Sequence, residues 1–364
     1  MGEPRAYPPP AGPSSSRVAY AAAHVVADPF GDGAALDWET TLAFRRHLWS
    51  YGLGVAEAMD TAQRGMGLDW AATRELIARS GAEARACGGR IACGAGTDQL
   101  PPGPASLEGI VAAYEEQLAV VDAAGAVPVL MASRHLAAAA RGPDDYAEVY
   151  GRLLPQLGRP AVLHWLGPMF DPALEGYWGS SDLDAAADAV LALIKANADR
   201  VDGVKVSLLD ADREVALRRR LPESVRLYTG DDFNYPDLIE GDEAGYSDAL
   251  LGVFDPIAPA AARALQALDA GDHAAYKEVF APTVPLARHL FESPTFYYKT
   301  GVVFLAWLTG HQQHFRMVAG LETARTVPHL VRLFRLADAA GLFPDPGLAA
   351  DRMRAWLTVQ GAAG

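Results

Sequence analysis

Three features of the 364-residue chain predict an α/β fold that closes into a (β/α)8 TIM barrel and ends in a helical C-terminal extension. Eight short apolar segments alternate with longer segments of helical periodicity, an order that requires parallel strands joined by right-handed crossovers. Strand signals stop near residue 259, and the remainder of the chain reads as successive helices. Half of the residues are apolar, enough for one domain of about 250 to 300 residues plus an appendage. A doubly wound open sheet is the alternative arrangement of the same units.

The first 16 residues, rich in Pro, Ser and Gly, bury too little to order themselves and are expected to form a flexible tail. The barrel is placed at 17–258 and the helical region at 259–364. The strand candidates are 17–26, 52–59, 90–95, 127–132, 160–166, 202–207, 225–230 and 248–254. Between them, "SLEGIVAAYEEQLAVVDAAG" repeats Ile110, Tyr114, Leu118 and Val121 at helical spacing, behind the N-cap Ser106 and before the stop Gly125. In "SDLDAAADAVLALIKANA" the stripe is Leu183, Ala187, Val190 and Ile194. Beyond 259, three segments ending in "LARHLF", "RMVAG" and "AAGLF" read as helices of the extension.

Charge excludes several classes of function. Acids outnumber bases 45 to 31, for a formal charge of -14, so the surface repels phosphate backbones and anionic membranes. Neither a nucleic-acid nor a membrane partner is expected. No apolar run reaches the roughly 20 residues that span a bilayer, and "VAYAAAHVVA" lacks the basic segment of an export signal. Cys87 and Cys93 match no metal or redox spacing, so a cytoplasmic protein with two reduced cysteines is expected.

The residues with chemical potential lie at strand ends, where barrels carry their sites. Alternation along "DGVKVS" sets Val204 and Val206 on one face and Lys205 and Ser207 on the other. If the valines meet the helices, Lys205 points into the barrel. Desolvation there lowers an amine's pKa and frees the neutral form that attacks carbonyls. A solvated lysine on a half-exposed strand has the same spacing.

"GVKVS", then "YTGDD", then "GYSDALLGVFDPIAP" resemble the second half of the dihydrodipicolinate synthase and N-acetylneuraminate lyase superfamily. That family shows G-[IV]-K-x-[ST], a later G-D-D, and a glycine, serine and proline motif in this order. "RVAYAAAHVVADPFGDGAALDWET" is similar to its first strand and T-P-F turn, and "FYYKTGVVFLAWLTG" to its C-terminal P-x-x-x-K-x-x-L helix. The resemblance covers about 17–345 and is weak in the middle. It implies a (β/α)8 barrel, usually tetrameric, with Lys205 forming a Schiff base with a 2-oxo acid such as pyruvate. It also implies substrate contacts at Ser207, Asp231, Asp232 and Ser247.

Departures from the family pattern shift these expectations. The fifth-strand tyrosine that relays protons is replaced by His164 in "LHWLGP". Imidazole suits the same task, although a packed core histidine is the plainer reading. The G-T-T-G-E carboxylate loop corresponds to "MDTAQ", with Asp60 for the first threonine and Thr61 for the second. A carboxylate at a carboxylate site is repulsive, which points away from pyruvate and toward a neutral carbonyl or sugar-derived substrate. "ASRHLAAA" supplies Arg134 and His135 as substrate contacts; Arg134 either restores anion-binding charge or is a surface arginine. The paired carboxylates of Asp231 and Asp232 suit polyol recognition, or one of them, Asp232, is a helix N-cap. Tyr177 and Trp178 are expected to line or cover the pocket.

Two weaker signals carry no site. "GAGTDQ" lacks the third glycine of a dinucleotide fingerprint. His311 and His314 in "HQQHF" sit one turn apart on an expected helix but have no third ligand. No cofactor motif is present, so none is expected.

The sequence supports three function classes. The first is an aldolase-type lyase or synthase with Lys205 as nucleophile, His164 as proton shuttle, and Thr61 and Arg134 as oxygen binders. The second is a metal-dependent sugar isomerase or epimerase holding its ion through His24, Glu57, His135, His164 and Asp231. The third is a barrel that binds a ligand without turnover. A small-molecule carbonyl substrate and a homodimer or homotetramer are expected.

Overall fold

The computed structural model describes residues 1–362. Eight parallel strands succeed one another around a closed barrel: β1 Ala19–Ala22, β2 Gly54–Glu57, β3 Ile91–Ala95, β4 Val127–Leu130, β5 Ala161–Leu166, β6 Val201–Ser207, β7 Arg226–Thr229 and β8 Asp248–Leu251. β1 pairs with β8, with Tyr20 opposite Leu250. Closure excludes the open-sheet alternative; seven strands lie within their expected segments, and β6 starts one residue before its own, at Val201.

Helices join the strands: α1 Trp38–Ser50, α2 Trp70–Cys87, α3 Leu107–Ala123, α4 Arg134–Ala139, α5 Pro143–Leu153, α6 Leu183–Ala196, α7 Ala211–Arg218, α8 Tyr235–Glu240 and α9 Ala258–Asp269. In chain order α9 completes the eighth strand–helix unit. The extension then consists of α10 His273–Phe280, α11 Thr283–Leu290, α12 Tyr298–Leu308, α13 Val327–Ala339 and α14 Pro346–Val359.

Local chemistry sets these limits. Ser106 Oγ accepts from the Gly109 amide at 3.1 Å and caps α3; Gly125, at φ 73°, lies just past its end. The stripe Ile110, Tyr114, Leu118 and Val121 is buried, each such side chain contributing roughly 1.5–3 kcal/mol of transfer free energy. "HQQHF" is not helical: α12 stops at Leu308, and His311 packs in a turn against His47, ring centroids 4.3 Å apart. The expected helical spacing of His311 and His314 therefore does not exist.

Two apolar layers form the interior. Val204, Val206, Leu163 and Trp165 face the helices; Tyr20, Ala56, Ala92, Val162, Tyr228 and Leu250 fill the barrel. A Cβ at Gly54 would stand 2.4 Å from the Tyr20 ring, and one at Gly203 2.7 Å from the Tyr228 ring. Glycine at both positions makes room for the two tyrosines. Lys205 lies two residues beyond Gly203 on the same side of β6.

Residues 1–16 form no regular element but are tied to the body along their length, with Tyr51 Oη donating to Tyr7 O at 3.1 Å and Gln266 Nε2 to Gly12 O at 3.3 Å. The Gly2 amide donates to Asp338 Oδ1 at 2.9 Å, Arg5 N to Gly341 O at 2.9 Å, and Ser14 to Ser16 surround the Asp269 carboxylate. No helix among the described residues is long and apolar enough to cross a membrane.

Candidate active site

Period-2 alternation carries Lys205 into the barrel, because Val204 and Val206 are taken by the outer layer. Lys205 is 7% exposed. Burial pulls its pKa below the usual lysine value, and the nearby Asp60 and Asp232 carboxylates oppose that shift. It lies beside Ser207, Thr61, Asp60, Asp232, Tyr298 and Phe170 in one narrow pocket at the strand ends.

The β2 turn delivers Asp60 and Thr61. A single helical turn spans 60–62, between Ala58 at φ 54° and Gln63 at φ 62°. Left-handed conformation in two non-glycine residues requires support from the surroundings. The Gln63 amide supplies it, donating to Val318 O at 2.9 Å and accepting from Val318 N at 3.2 Å. The C-terminal extension thereby holds the turn.

The extension also contributes directly to the pocket. Tyr298, the first residue of α12, is buried, and its Oη lies 2.7 Å from Thr61 Oγ1. Phe291 stacks on its ring at 4.4 Å. Burial pushes the phenol's pKa well above normal, as do Asp60 and Asp232, so it is a held proton at neutral pH. Its neighbour Lys299 is also buried, with Nζ donating to Phe296 O at 3.0 Å. Burial lowers the Lys299 pKa to about 8.

The G-D-D segment divides its labour. Asp231 accepts from Phe233 N, Asn234 N and Asn234 Nδ2 at 2.9 to 3.0 Å, which occupies its carboxylate in the turn. Asp232 Oδ1 accepts from Val253 N at 2.8 Å and faces the pocket. Burial raises the Asp232 pKa, and the Val253 amide and Lys205 oppose the rise. Asp232 does not cap a helix: the N-cap of α8 is Asn234, without a side-chain cap bond, and the turn before it presents its amides to Asp231. Gly230 is required here: a Cβ would sit 2.2 Å from Ser207 Oγ and 2.9 Å from Lys205 Cε.

His164 is opposite Lys205 in the β5–β6 register and fully buried. Its Nε2 lies 3.4 Å from Ser207 Oγ, and Nδ1 has no partner. Burial, then the Lys205 charge, holds its pKa well below the usual imidazole value. The ring reaches the pocket through Ser207 rather than lining it.

A wider chamber of ≈ 620 Å³ opens from the pocket, with Asp60, Leu166 and Phe170 shared between them. Arg134, His135 and Lys299 line it. Arg134 Nε is bound to Asp171 Oδ2 at 2.6 Å. His135 Nδ1 lies 3.0 Å from Thr97 Oγ1, itself 2.6 Å from Ser133 Oγ.

Some sequence-selected residues lie elsewhere. Ser247 precedes β8, at the end of the barrel opposite the pocket, and donates to Glu214 Oε1 at 2.8 Å; the structure does not place it near Lys205. Tyr177 and Trp178 do not line the pocket either. Both are buried against Tyr146 and Tyr150, and Tyr177 Oη accepts from the Ser133 amide at 3.1 Å.

The five ligands of the isomerase reading do not converge. Glu57 is consumed by Arg45, Ser80 and the Ala58 amide, His24 by Asp255 at 2.8 Å, and Asp231 by its turn. Among the described residues one compact ligand group occurs, His289, Glu292 and His329 in the extension. There the two imidazoles stack at 4.2 Å, and each sets its Nδ1 3.0 Å from a Glu292 carboxylate oxygen, away from the pocket.

Tyr298, Lys299 and Gly230 have no role that the sequence alone suggests. "FYYK" at the head of an apolar helix is the available signal for the first two. Its position over the barrel mouth is a long-range fact that no local pattern carries.

The closed barrel with its helical C-terminal extension is a (β/α)8 fold shared with solved structures of dihydrodipicolinate synthase type. YagE, a prophage protein of the dihydrodipicolinic acid synthase family from E. coli K12 solved with pyruvate, superposes with a TM-score of 0.71 at 12% identity, covering 90% of this chain and 100% of its own. A candidate dihydrodipicolinate synthetase from Pseudomonas aeruginosa gives 0.69 at 16%, covering 90% and 100%. Dihydrodipicolinate synthase from Aquifex aeolicus gives 0.67 at 16%, covering 90% and 99%. Within this fold the chain belongs to the family described as Protein of unknown function (DUF993), which matches residues 1–362. No curated protein matches the sequence.

Proposed function

We propose that the protein is a class I aldolase-type lyase or synthase in which Lys205 forms a Schiff base with a carbonyl substrate. The observation that carries this reading is the Lys205 amine itself, buried between Asp60 and Asp232 at the end of a pocket lined with proton donors. Desolvation favours the nucleophilic form of the amine there.

In the reaction the Lys205 nitrogen attacks the carbonyl carbon. The carbonyl oxygen takes up two protons and leaves as water, while nitrogen loses its protons to become the imine. Asp232, whose raised pKa suits proton exchange near neutrality, and the Thr61–Tyr298 pair are the donors within the pocket. His164 exchanges protons through Ser207. The imine is then the electron sink for breaking or forming a carbon–carbon bond beside the former carbonyl.

Reductive trapping tests the reading. Borohydride with pyruvate and a panel of oxo acids, aldehydes and oxo sugars is expected to yield an adduct that peptide mass analysis maps to Lys205, and Lys205→Arg abolishes it. Absence of any Lys205 adduct across the panel sinks the proposal. A cytoplasmic homodimer or homotetramer belongs to the same reading, and light scattering of the purified chain measures the assembly.

A further inference from the structure

The chamber next to the pocket has a polarity of its own. Asp60 and Asp232 flank Lys205, so a carboxylate attached directly to the reacting carbonyl meets two acids. On the chamber side Arg64 is paired with Asp98 and Arg134 with Asp171, and Lys299 is the lining cation that forms no salt bridge among the described residues. Lys299 is 3% exposed, and a single carbonyl, Phe296 O, accepts from an amine that carries three donors. It stands in the first turn of the 11-residue helix α12, where the helix dipole favours an anion. Arg134 spends its Nε on Asp171 and keeps its terminal nitrogens for the chamber it lines. Between these cations and the pocket the wall is apolar, with Met131, Leu166 and Phe170.

We infer that Lys299, with Arg134, is an anion-binding subsite, and that the substrate class is a carbonyl compound whose anionic group is separated from the carbonyl by an apolar chain. The orientation rests on the Schiff-base reading: the carbonyl enters the narrow pocket, the chain passes Phe170, and the anion reaches Lys299. A chamber of ≈ 620 Å³ is in the range of small-molecule sites and exceeds what pyruvate fills.

Two measurements on the full-length protein separate this inference from the one beneath it. The first is calorimetric binding of hexanoate, an anion on an apolar chain with no carbonyl. It is expected to bind wild type and Lys205→Met alike and to weaken about tenfold or more in Lys299→Met, a loss of roughly 1.4 kcal/mol. Equal binding by Lys299→Met, or no binding to wild type, overturns the inference whatever Lys205 does. The second is cyanoborohydride trapping with 5-oxohexanoate, 2-heptanone and pyruvate, mapped to the modified peptide. Labelling of Lys205 by 5-oxohexanoate is expected to be at least about tenfold faster than by pyruvate. Lys299→Met should bring 5-oxohexanoate down to the rate of 2-heptanone, with 2-heptanone unchanged. Pyruvate labelling as fast as 5-oxohexanoate, or an equal loss with the neutral ketone, overturns the inference while leaving Schiff-base chemistry standing. No Lys205 label with any of the three, alongside Lys299-dependent hexanoate binding, supports the subsite and removes the imine.

Discussion

The phenol of Tyr298 and the hydroxyl of Thr61 meet at 2.7 Å, joining the first residue of a C-terminal helix to the turn after the second barrel strand beside a buried lysine. Either oxygen can donate, so the pair can pass a proton in both directions without rearranging. Tyr298→Phe keeps the stacked ring and removes only this link. Leaving Thr61 without its partner should cost about 1–3 kcal/mol of stability. The rate of imine trapping at Lys205 should fall by about 10²-fold or more. Trapping at the wild-type rate in a folded Tyr298→Phe protein would assign the pair to architecture alone.

Gly230 tests how closely the seventh strand approaches the amine. A methyl group there meets Ser207 Oγ at 2.2 Å, Val206 O at 2.8 Å and Lys205 Cε at 2.9 Å. Ser207 Oγ can rotate away, but the Val206 carbonyl is backbone. Gly230→Ala is therefore expected to destabilise by about 1–3 kcal/mol and to lower Lys205 trapping far more than the lost stability explains. Trapping that stays at the wild-type rate would show that Lys205 has slack in the pocket.

How far the sequence reveals such relationships depends on their range. The eight strands come from short apolar runs between helical segments and the inward aim of Lys205 from period-2 alternation, both local signals, and the structure places Val204 and Val206 in the outer layer as alternation requires. Asp60 and Thr61 reach the pocket by the turn that motif spacing indicates. The division of labour between Asp231 and Asp232 is not legible, because adjacent acids after a strand differ only in which backbone amides the next turn presents. Ser247 fails for another reason: it precedes its strand, whereas barrel sites form where strands end. The contribution of α12 and the Gln63–Val318 clamp joins residues about 240 to 255 positions apart, beyond any periodicity.

His164 and Ser207 should act as one unit if protons reach the pocket through them. The imidazole is held neutral by burial and by Lys205, and its Nε2 lies 3.4 Å from Ser207 Oγ. His164→Gln and Ser207→Ala should each slow Lys205 trapping, and the double variant should be no slower than the worse single one, since removing either link already breaks the path. Fully multiplicative losses would separate the two residues. A normal rate in Ser207→Ala would show that the histidine is a packed core residue.

A buried acid remote from the pocket gives a stability prediction independent of any substrate. Glu214 on α7 accepts from Thr229 Oγ1 at 2.9 Å and Ser247 Oγ at 2.8 Å. Burial raises its pKa from 4.5 to about 8, with the two hydroxyls opposing. The folded chain therefore holds a proton that the unfolded chain releases, so this group's contribution is complete below pH 4.5 and is lost as pH rises through about 8. Glu214→Gln keeps the shape and cannot ionise. Its stability should be close to wild type at pH 5 and exceed it as pH approaches 8, by up to roughly 1.4 kcal/mol per pH unit. Urea unfolding of both proteins at pH 5 and pH 8 reads the difference directly. A Glu214→Gln variant equally destabilised at both values would mean that Arg218, which donates to Ser247 Oγ at 3.3 Å, keeps Glu214 ionised in the fold.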